Sequence, residues 1–277
     1  ALLYPLHVIM ESLGVPEEDE PRMLLLTQEL FGAQDPDTTR AREMTDPEEA
    51  FKALNAVVQD FYAYFEAITE DRRARPREDL ASVIANAELD GRPLSGIDLL
   101  SYYVIVATAG HDTTSSSTAG AVWRMCEDPD LLPRLRADPG LVPGLVDEAI
   151  RWTTPVKHFM RTATADTEVA GQPIAKGDWL MLCYASGNRD EAVFEDPEVF
   201  RPDRRPNRHL AFGYGAHLCL GQHLAKLEMR IFFEALLAAV EHVEFSGEPS
   251  NSHAVFVNGP KSMPVRFRVS AAVRAAA

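Results

Sequence analysis

One cysteine is set apart by its neighbours. The string Phe212-Gly213-Tyr214-Gly215-Ala216-His217-Leu218-Cys219-Leu220-Gly221 places a thiol among glycines, immediately before an apolar helical pattern. Glycine permits positive φ and close backbone approach. A helix N-terminus points free N–H groups and positive potential at a sulfur, which lowers a thiol pKa and favours the thiolate that metals bind. Cys219 is therefore a candidate ligand for iron. Two blander readings fit the same residues. Free cysteine is among the most buried residue types, so Cys219 alone also reads as inert packing beside a turn. His217, Cys219 and His223 offer a His-x-Cys-x-x-x-His spacing for zinc, but the chain has no CxxC partner to complete it.

Three other groups of residues suggest chemistry. Ala109-Gly110-His111-Asp112-Thr113-Thr114 interrupts an apolar helical stretch with a polar run from Thr108 to Thr118. Glycine inside a helix costs about 1 kcal/mol relative to alanine, so something comes close to the backbone there. The polar run suggests a lined cavity or a local opening of the hydrogen-bond ladder; helix packing through small residues is the alternative. Glu148 and Arg151 stand at i, i+3, where helical side chains pair, although such pairs abound on solvated faces. Arg161 follows Pro155–Met160. Its planar guanidinium suits a carboxylate partner, and a surface arginine on a strand is the equal alternative.

These residues need elements to hold them. Leu6–Leu13 and Met23–Phe31 read as short helices ended by Gly14 and Gly32. Asp46-Pro47-Glu48-Glu49 is a helix start, with Asp as cap, Pro at the first position and carboxylates in the first turn. Leu54, Val57, Val58, Phe61, Tyr62, Phe65 and Ile68 continue it at helical spacing up to the basic cluster Arg72–Arg77. Asp90-Gly91-Arg92-Pro93 is a turn. Ser95, with Asp98 three residues on, opens a proline-free stretch to Pro129 that predicts one helix over about 96–127. Shorter helices follow near Pro129–Ala137 and Leu141–Thr153. Thr167–Val169 and Trp179–Cys183 read as strands between glycine turns. Residues 188–208 form a loop with Pro197, Pro202 and Pro206, and a last helix runs over 220–242 with Leu220, Leu224, Leu227 and Ile231 on one face. With no internal repeat, and no low-complexity segment but an Ala-rich tail, the pattern reads as one mainly α domain, 1–277, with small β-sheets.

Composition limits the partners. The 277 residues carry 42 acidic and 27 basic side chains, a formal net charge of −15. Nucleic-acid binding rests on clustered Lys and Arg that release counterions, and this balance argues against it. Three scattered cysteines, Cys126, Cys183 and Cys219, give no disulfide framework and suggest a reducing, cytoplasmic setting. No apolar run reaches the roughly 18 residues of a membrane span.

Taken in order, the motifs resemble the cytochrome P450 family. Phe212, Gly215, His217, Cys219 and Gly221 match its Phe-x-x-Gly-x-His-x-Cys-x-Gly signature, with His217 where many members have Arg. Residues 109–114 match its oxygen-binding helix, and Glu148-x-x-Arg151 its conserved-spacing pair, with Arg204 in Phe200-Arg201-Pro202-Asp203-Arg204 as third member. The resemblance runs from Leu2 to about Val269 and is nearest to bacterial terpineol-hydroxylating members over 109–117, 146–160 and 207–228.

The resemblance implies a P450-like fold lacking its N-terminal portion, Ala1 falling inside a helical region. It makes Cys219 the proximal ligand of haem b iron, with His217 and Arg161 on the propionates and Phe212, Gly213, Gly221, Ala109 and Gly110 around the cofactor. Glu148, Arg151 and Arg204 would be structural. Thr113, with Asp112 as relay, would pass protons through water to the reacting oxygen. Substrate would lie against Ala109, Thr113, Val156, Phe256 and Val257. The implied reaction inserts one atom of O₂ into a C–H bond of a small hydrophobic molecule, a terpene or terpene alcohol. Electrons would come from an iron–sulfur ferredoxin and a separate NAD(P)H-dependent ferredoxin reductase, docking near His223, Lys226 and Arg230. The alternatives are a haem-thiolate sensor, which needs no proton relay, and an inactive or haem-poor fragment.

Overall fold

Helix boundaries follow local chemistry throughout the computed structural model, which describes residues 2–33, 35–41 and 46–270. The Ala-rich tail lies outside the described residues. Helix α1 (Leu3–Leu13) stops at Gly14, whose φ of 80° reverses the chain. After α2 (Glu20–Phe31), Asp46 caps α3 (Pro47–Ala74) by accepting the Glu48 N–H at 2.9 Å. Asp79 caps α4 (Leu80–Ala85) in the same way through Ser82 N. Strands β1 (Glu88–Leu89) and β2 (Arg92–Pro93) form a hairpin around Asp90 and Gly91, both at positive φ. Ser95 sits at the N-cap of α5 (Gly96–Ala109), but its hydroxyl makes no capping bond, because Gly96 enters the helix at φ 56°.

The single helix expected over 96–127 is two helices. α5 ends at Ala109, and α6 (Asp112–Glu127) begins past Gly110 and His111. Glycine stands at the break because the site is crowded: a Cβ on Gly110 would lie 2.5 Å from Ile9 Cγ1 of α1 and 3.0 Å from Val106 O. The hydroxyls of the polar run mostly bond back to carbonyls four residues earlier, Thr108 to Val104, Thr113 to Ala109, Ser117 to Thr113 and Thr118 to Thr114. They find their partners within their own helices.

Helices α7 (Leu131–Ala137) and α8 (Val142–Thr153) lead to four strands, β3 (His158–Thr162), β4 (Thr167–Val169), β5 (Gln172–Ile174) and β6 (Trp179–Cys183), and to the short α9 (Tyr184–Gly187). A long loop carries the chain to α10 (Gln222–Ala239), then β7 (Val240–Phe245), β8 (Ser250–Asn251), β9 (Pro260–Ser262) and β10 (Val265–Val269). All pairings are antiparallel and two-stranded: β1 with β2, β3 with β6, β4 with β5, β7 with β10, β8 with β9. The helix expected over 220–242 is shorter at both ends, because Val240 turns extended and pairs with Val269.

Two apolar clusters form the cores of two compact units. The first comprises residues up to 119 with Ser250–Val255 and Pro260–Ser262. Its core joins Leu6, Met10, Met23, Phe61, Phe65 and Tyr103, with the Phe65 and Tyr103 rings stacked 4.8 Å apart. Hairpin β8–β9 is tied into this unit by Asp35, which is buried and takes Lys261 Nζ at 2.5 Å and His253 N at 3.2 Å. The second comprises Gly120–Pro249, Phe256–Gly259 and residues from 263 on. Its core packs Met125, Leu135, Leu145, Ile150, Phe233 and Val243. On α10, Leu224, Leu227 and Ile231 are exposed, while Met229, Phe233, Leu236 and Leu237 are buried.

Candidate functional site

The cysteine turn is built by its glycines. Gly213 and Gly215 take φ of 73° and 67°, and a 3₁₀ turn at Gly215–His217 follows. Gly213 N donates to Leu210 O at 2.8 Å, Leu218 N to Gly215 O at 3.1 Å, and Cys219 N to Phe212 O at 2.8 Å. The last bond closes the loop and seats the thiol just before α10. N–H groups of Gly221 and Gln222 donate to the sulfur. Desolvation by the surrounding chain nevertheless raises the thiol pKa above its ordinary value, and these two donors pull it back only in part. The lowering expected from a helix start is thus outweighed. Around Cys219, Leu218 is half-exposed and Leu220 is 96% exposed.

Behind the turn lies a buried ionic core. Glu148 and Arg151 of α8 are fully buried and bidentate, Nε to Oε2 and Nη2 to Oε1, both 2.8 Å. Arg204 Nε reaches the same carboxylate at 3.1 and 3.2 Å. The guanidiniums spend their other N–H groups on loop carbonyls: Arg151 on Asn188 and Pro197, Arg204 on Glu195 and Val199. This fastens α8 to the 188–207 loop, as buried charges require partners.

The remaining second-unit residues form two groups. Val156 bridges Val257, Lys157 N donates to Phe256 O at 3.0 Å, and the Phe256 ring meets that of Phe159 edge-on at 5.4 Å. Val156, Phe256 and Val257 are thereby brought together. Arg161 lies on β3 opposite Leu180 and donates to the Met160 carbonyl, while His217 is exposed on its 3₁₀ turn. Ala109, Gly110, Asp112 and Thr113 belong to the first unit. There Thr113 Oγ1 donates to Ala109 O at 3.2 Å, and Asp112 Oδ1 stands 3.2 Å from Nε2 of the buried His111.

Several residues that hold these groups escape sequence reasoning. Asn188 is fully buried and links Thr154 Oγ1 at 2.9 Å with Leu210 N at 2.6 Å. Asn207 donates to Glu148 Oε2 at 3.0 Å. Asp147 of α8 takes Lys226 Nζ at 2.7 Å. Lys226, offered above as a docking residue, is therefore engaged within the fold. Each of these sits in a turn-like or ordinary helical context, with no pattern to distinguish it from surface polar residues.

The family model for cytochrome P450 matches residues 140–267. Cytochrome P450-terp of Pseudomonas sp is 54% identical over 268 residues, 96% of this chain and 63% of that protein. Linalool 8-monooxygenase of Pseudomonas putida is 34% identical over 261 residues, 94% of this chain and 62% of that protein. The crystal structure of CYP108D1 from Novosphingobium aromaticivorans DSM12444 is 51% identical and superposes with a TM-score of 0.85, over 97% of this chain and 62% of that one. The fold is thus that of a haem-thiolate class of proteins, mainly helical with small sheets. The chain belongs to the cytochrome P450 family. It spans somewhat under two thirds of the length of these relatives.

The residues present suit a haem. The donor set at the turn is one thiol under two N–H groups, and a Cβ built on Gly215 or Gly221 would face open space. Leu220, Leu224, Leu227 and Ile231 add exposed apolar surface suited to a flat apolar ring. Among the described residues, no three His, Cys, Asp or Glu side chains gather to hold a bare metal ion, and no helix is long and apolar enough to cross a membrane.

Proposed function

We propose that the protein is a haem-thiolate monooxygenase that inserts one atom of O₂ into a C–H bond of a small hydrophobic substrate, a terpene or terpene alcohol. The observation that carries this reading is the seated Cys219, its sulfur under two N–H donors beside exposed leucines, in a chain of the cytochrome P450 family. Cys219 would hold haem b, His217 and Arg161 its propionates, and Phe212, Gly213, Gly221, Ala109 and Gly110 its edges. Bound there, the thiolate-ligated haem supplies O₂ activation, the thiolate favouring O–O cleavage.

The chain's own residues do the rest. The Gly221 and Gln222 N–H groups hold the sulfur in place and spread its negative charge when it is a thiolate. Glu148, Arg151 and Arg204 hold the loop that presents the turn. Asp112 Oδ1 and Thr113 Oγ1 carry protons toward the reacting site; to do so, the Thr113 hydroxyl turns away from the Ala109 carbonyl it now bonds. Val156, Phe256 and Val257 offer a small apolar surface to the substrate, in keeping with the terpene alcohol in the name of linalool 8-monooxygenase. Electrons would arrive from a ferredoxin served by an NAD(P)H-dependent reductase. Of the three docking candidates, His223 and Arg230 keep exposed positions.

The test is the spectrum of the reduced protein with CO. The red-shifted Soret band of thiolate ligation is expected, and its loss in Cys219→Ser. An imidazole-type band in the parent chain would overturn the assignment. Thr113→Ala should divert electrons from product to peroxide; unchanged coupling would remove Thr113 from the proton path.

A further inference from the structure

We propose that Asp147 is a positioning residue for the cysteine turn, acting through Lys226 and His209 on Phe212. This rests on the reading of Cys219 as the ligand. Asp147 lies on α8, one residue before the buried Glu148, on the side facing α10. Its carboxylate holds Lys226 Nζ at 2.7 Å, and His209 Nε2 stands 3.9 Å from the same oxygen. Both partners then bear on one ring. The Lys226 ammonium sits 5.5 Å from the centre of Phe212, and the His209 ring is 5.5 Å from it at an interplanar angle of 51°. Phe212 is the residue whose carbonyl takes the Cys219 N–H at 2.8 Å. The path runs from Asp147 through Lys226 and His209 to Phe212 and the backbone of the ligand.

The chemistry explains why an acid is needed at this position. A cation over an aromatic face is held by the ring quadrupole, yet a lysine on a flexible stem wanders unless something fixes its head. Asp147 does that. The His209 side chain is almost fully buried, and its Nε2 faces the Asp147 carboxylate at 3.9 Å, an ionic rather than a hydrogen-bonding distance. Burial alone would push the Asp147 carboxyl up, but the contacts with His209 and Lys226 outweigh it and hold the group below its ordinary range. The carboxylate thus stays charged between its two partners. An ion pair on an open surface contributes little; this one matters through where it points.

Two variants test it, Asp147→Asn and Lys226→Met, with their double variant. The first readout needs no cofactor: amide hydrogen exchange at Cys219 reports directly on the bond to Phe212. Each single variant should speed that exchange about tenfold, the equivalent of about 1.4 kcal/mol, while amides within α8 and α10 keep their rates. The double variant should speed it no more than Asp147→Asn alone, because Lys226 acts on the ring through Asp147. The second readout is the CO spectrum of the haem-loaded protein. Its thiolate band should give way to a non-thiolate band faster in the variants, at temperatures where far-ultraviolet dichroism is unchanged. Exchange at Cys219 within twofold of the parent would overturn the proposal, as would an equal rise throughout α8 and α10. If Asp147→Asn does not fold, Lys226→Met, at a half-exposed lysine, carries the same comparison. Absence of a thiolate band in the parent chain would overturn the reading of Cys219 instead, and the exchange result would still judge the clamp.

Discussion

Replacing Glu148 by Gln keeps the size of the side chain and removes its charge. The carboxylate accepts six hydrogen bonds, two each from Arg151 and Arg204 and one each from Arg201 N and Asn207 Nδ2. Summing charge-assisted bonds at about 1.5–3 kcal/mol apiece would exceed most of a domain's net stability of about 5–15 kcal/mol, so the sum is not the answer. The relevant quantity is the cost of removing one partner from a buried ion pair, about 3–5 kcal/mol. Two features decide where in that range the cost falls. Gln turns an NH₂ toward arginine donors, leaving two buried guanidiniums without an anion. Against that, Arg151 and Arg204 keep their bonds to the carbonyls of Asn188, Pro197, Glu195 and Val199. We therefore expect about 3 kcal/mol, a fall in melting temperature of roughly 6–12 °C, read by calorimetry and by urea unfolding. Haem incorporation should drop in proportion, with the positions of product hydroxylation unchanged. A loss below about 1 kcal/mol, the scale of a surface pair, would refute the view that this carboxylate organises the loop.

Two further outcomes follow from packing and charge. Gly110→Ala places a methyl 2.5 Å from Ile9 Cγ1; overpacking of this kind costs about 1–3 kcal/mol, and Ile9→Ala in the same chain should recover most of it in urea midpoints. A neutral Gly110→Ala would show that Ile9 does not crowd this position. Burial pushes the Asp35 carboxyl up, but Lys261 and the N–H groups of Asp37 and His253 hold it at about 2, below its ordinary 3.8. A depressed carboxyl stabilises the fold above its unfolded pKa and loses that contribution as pH falls through the folded one. Stability should therefore decline between about pH 4 and pH 2, more steeply in the parent than in Lys261→Met. Parallel acid curves would dismiss the tie.

Local signals were legible where they were strong. Asp46-Pro47 marked the start of α3, and the glycines around Cys219 marked a turn that seats a thiol. Glu148, Arg151 and Arg204 are found bonded together, although their spacing alone was commonplace and the resemblance singled them out. What sequence could not supply was the identity of neighbours. Gly110 signalled close approach, but nothing local says that the approaching atom belongs to Ile9. α10 carries Leu224, Leu227, Met229, Ile231, Phe232, Phe233, Leu236 and Leu237, apolar nearly all round, so periodicity does not choose its buried face. Asn188, Asn207, Asp147 and His209 look like ordinary polar residues until tertiary contacts assemble around them. The thiol pKa at Cys219 likewise depends on how far folding desolvates the sulfur, which reversed the local expectation.

During synthesis, Asp35 leaves the ribosome well before its partner. Lys261 lies 226 residues later, which at about 5–20 residues per second amounts to roughly 10–45 s. Once α5 has emerged, the core of α1, α2, α3 and α5 has its helical apolar residues, while the position that buries Asp35 has no cation to put beside it. Drying an unpaired carboxylate is costly, so that corner stays hydrated and the backbone around residue 35 stays unfixed until β9 arrives. A hairpin made late completes a core made earlier.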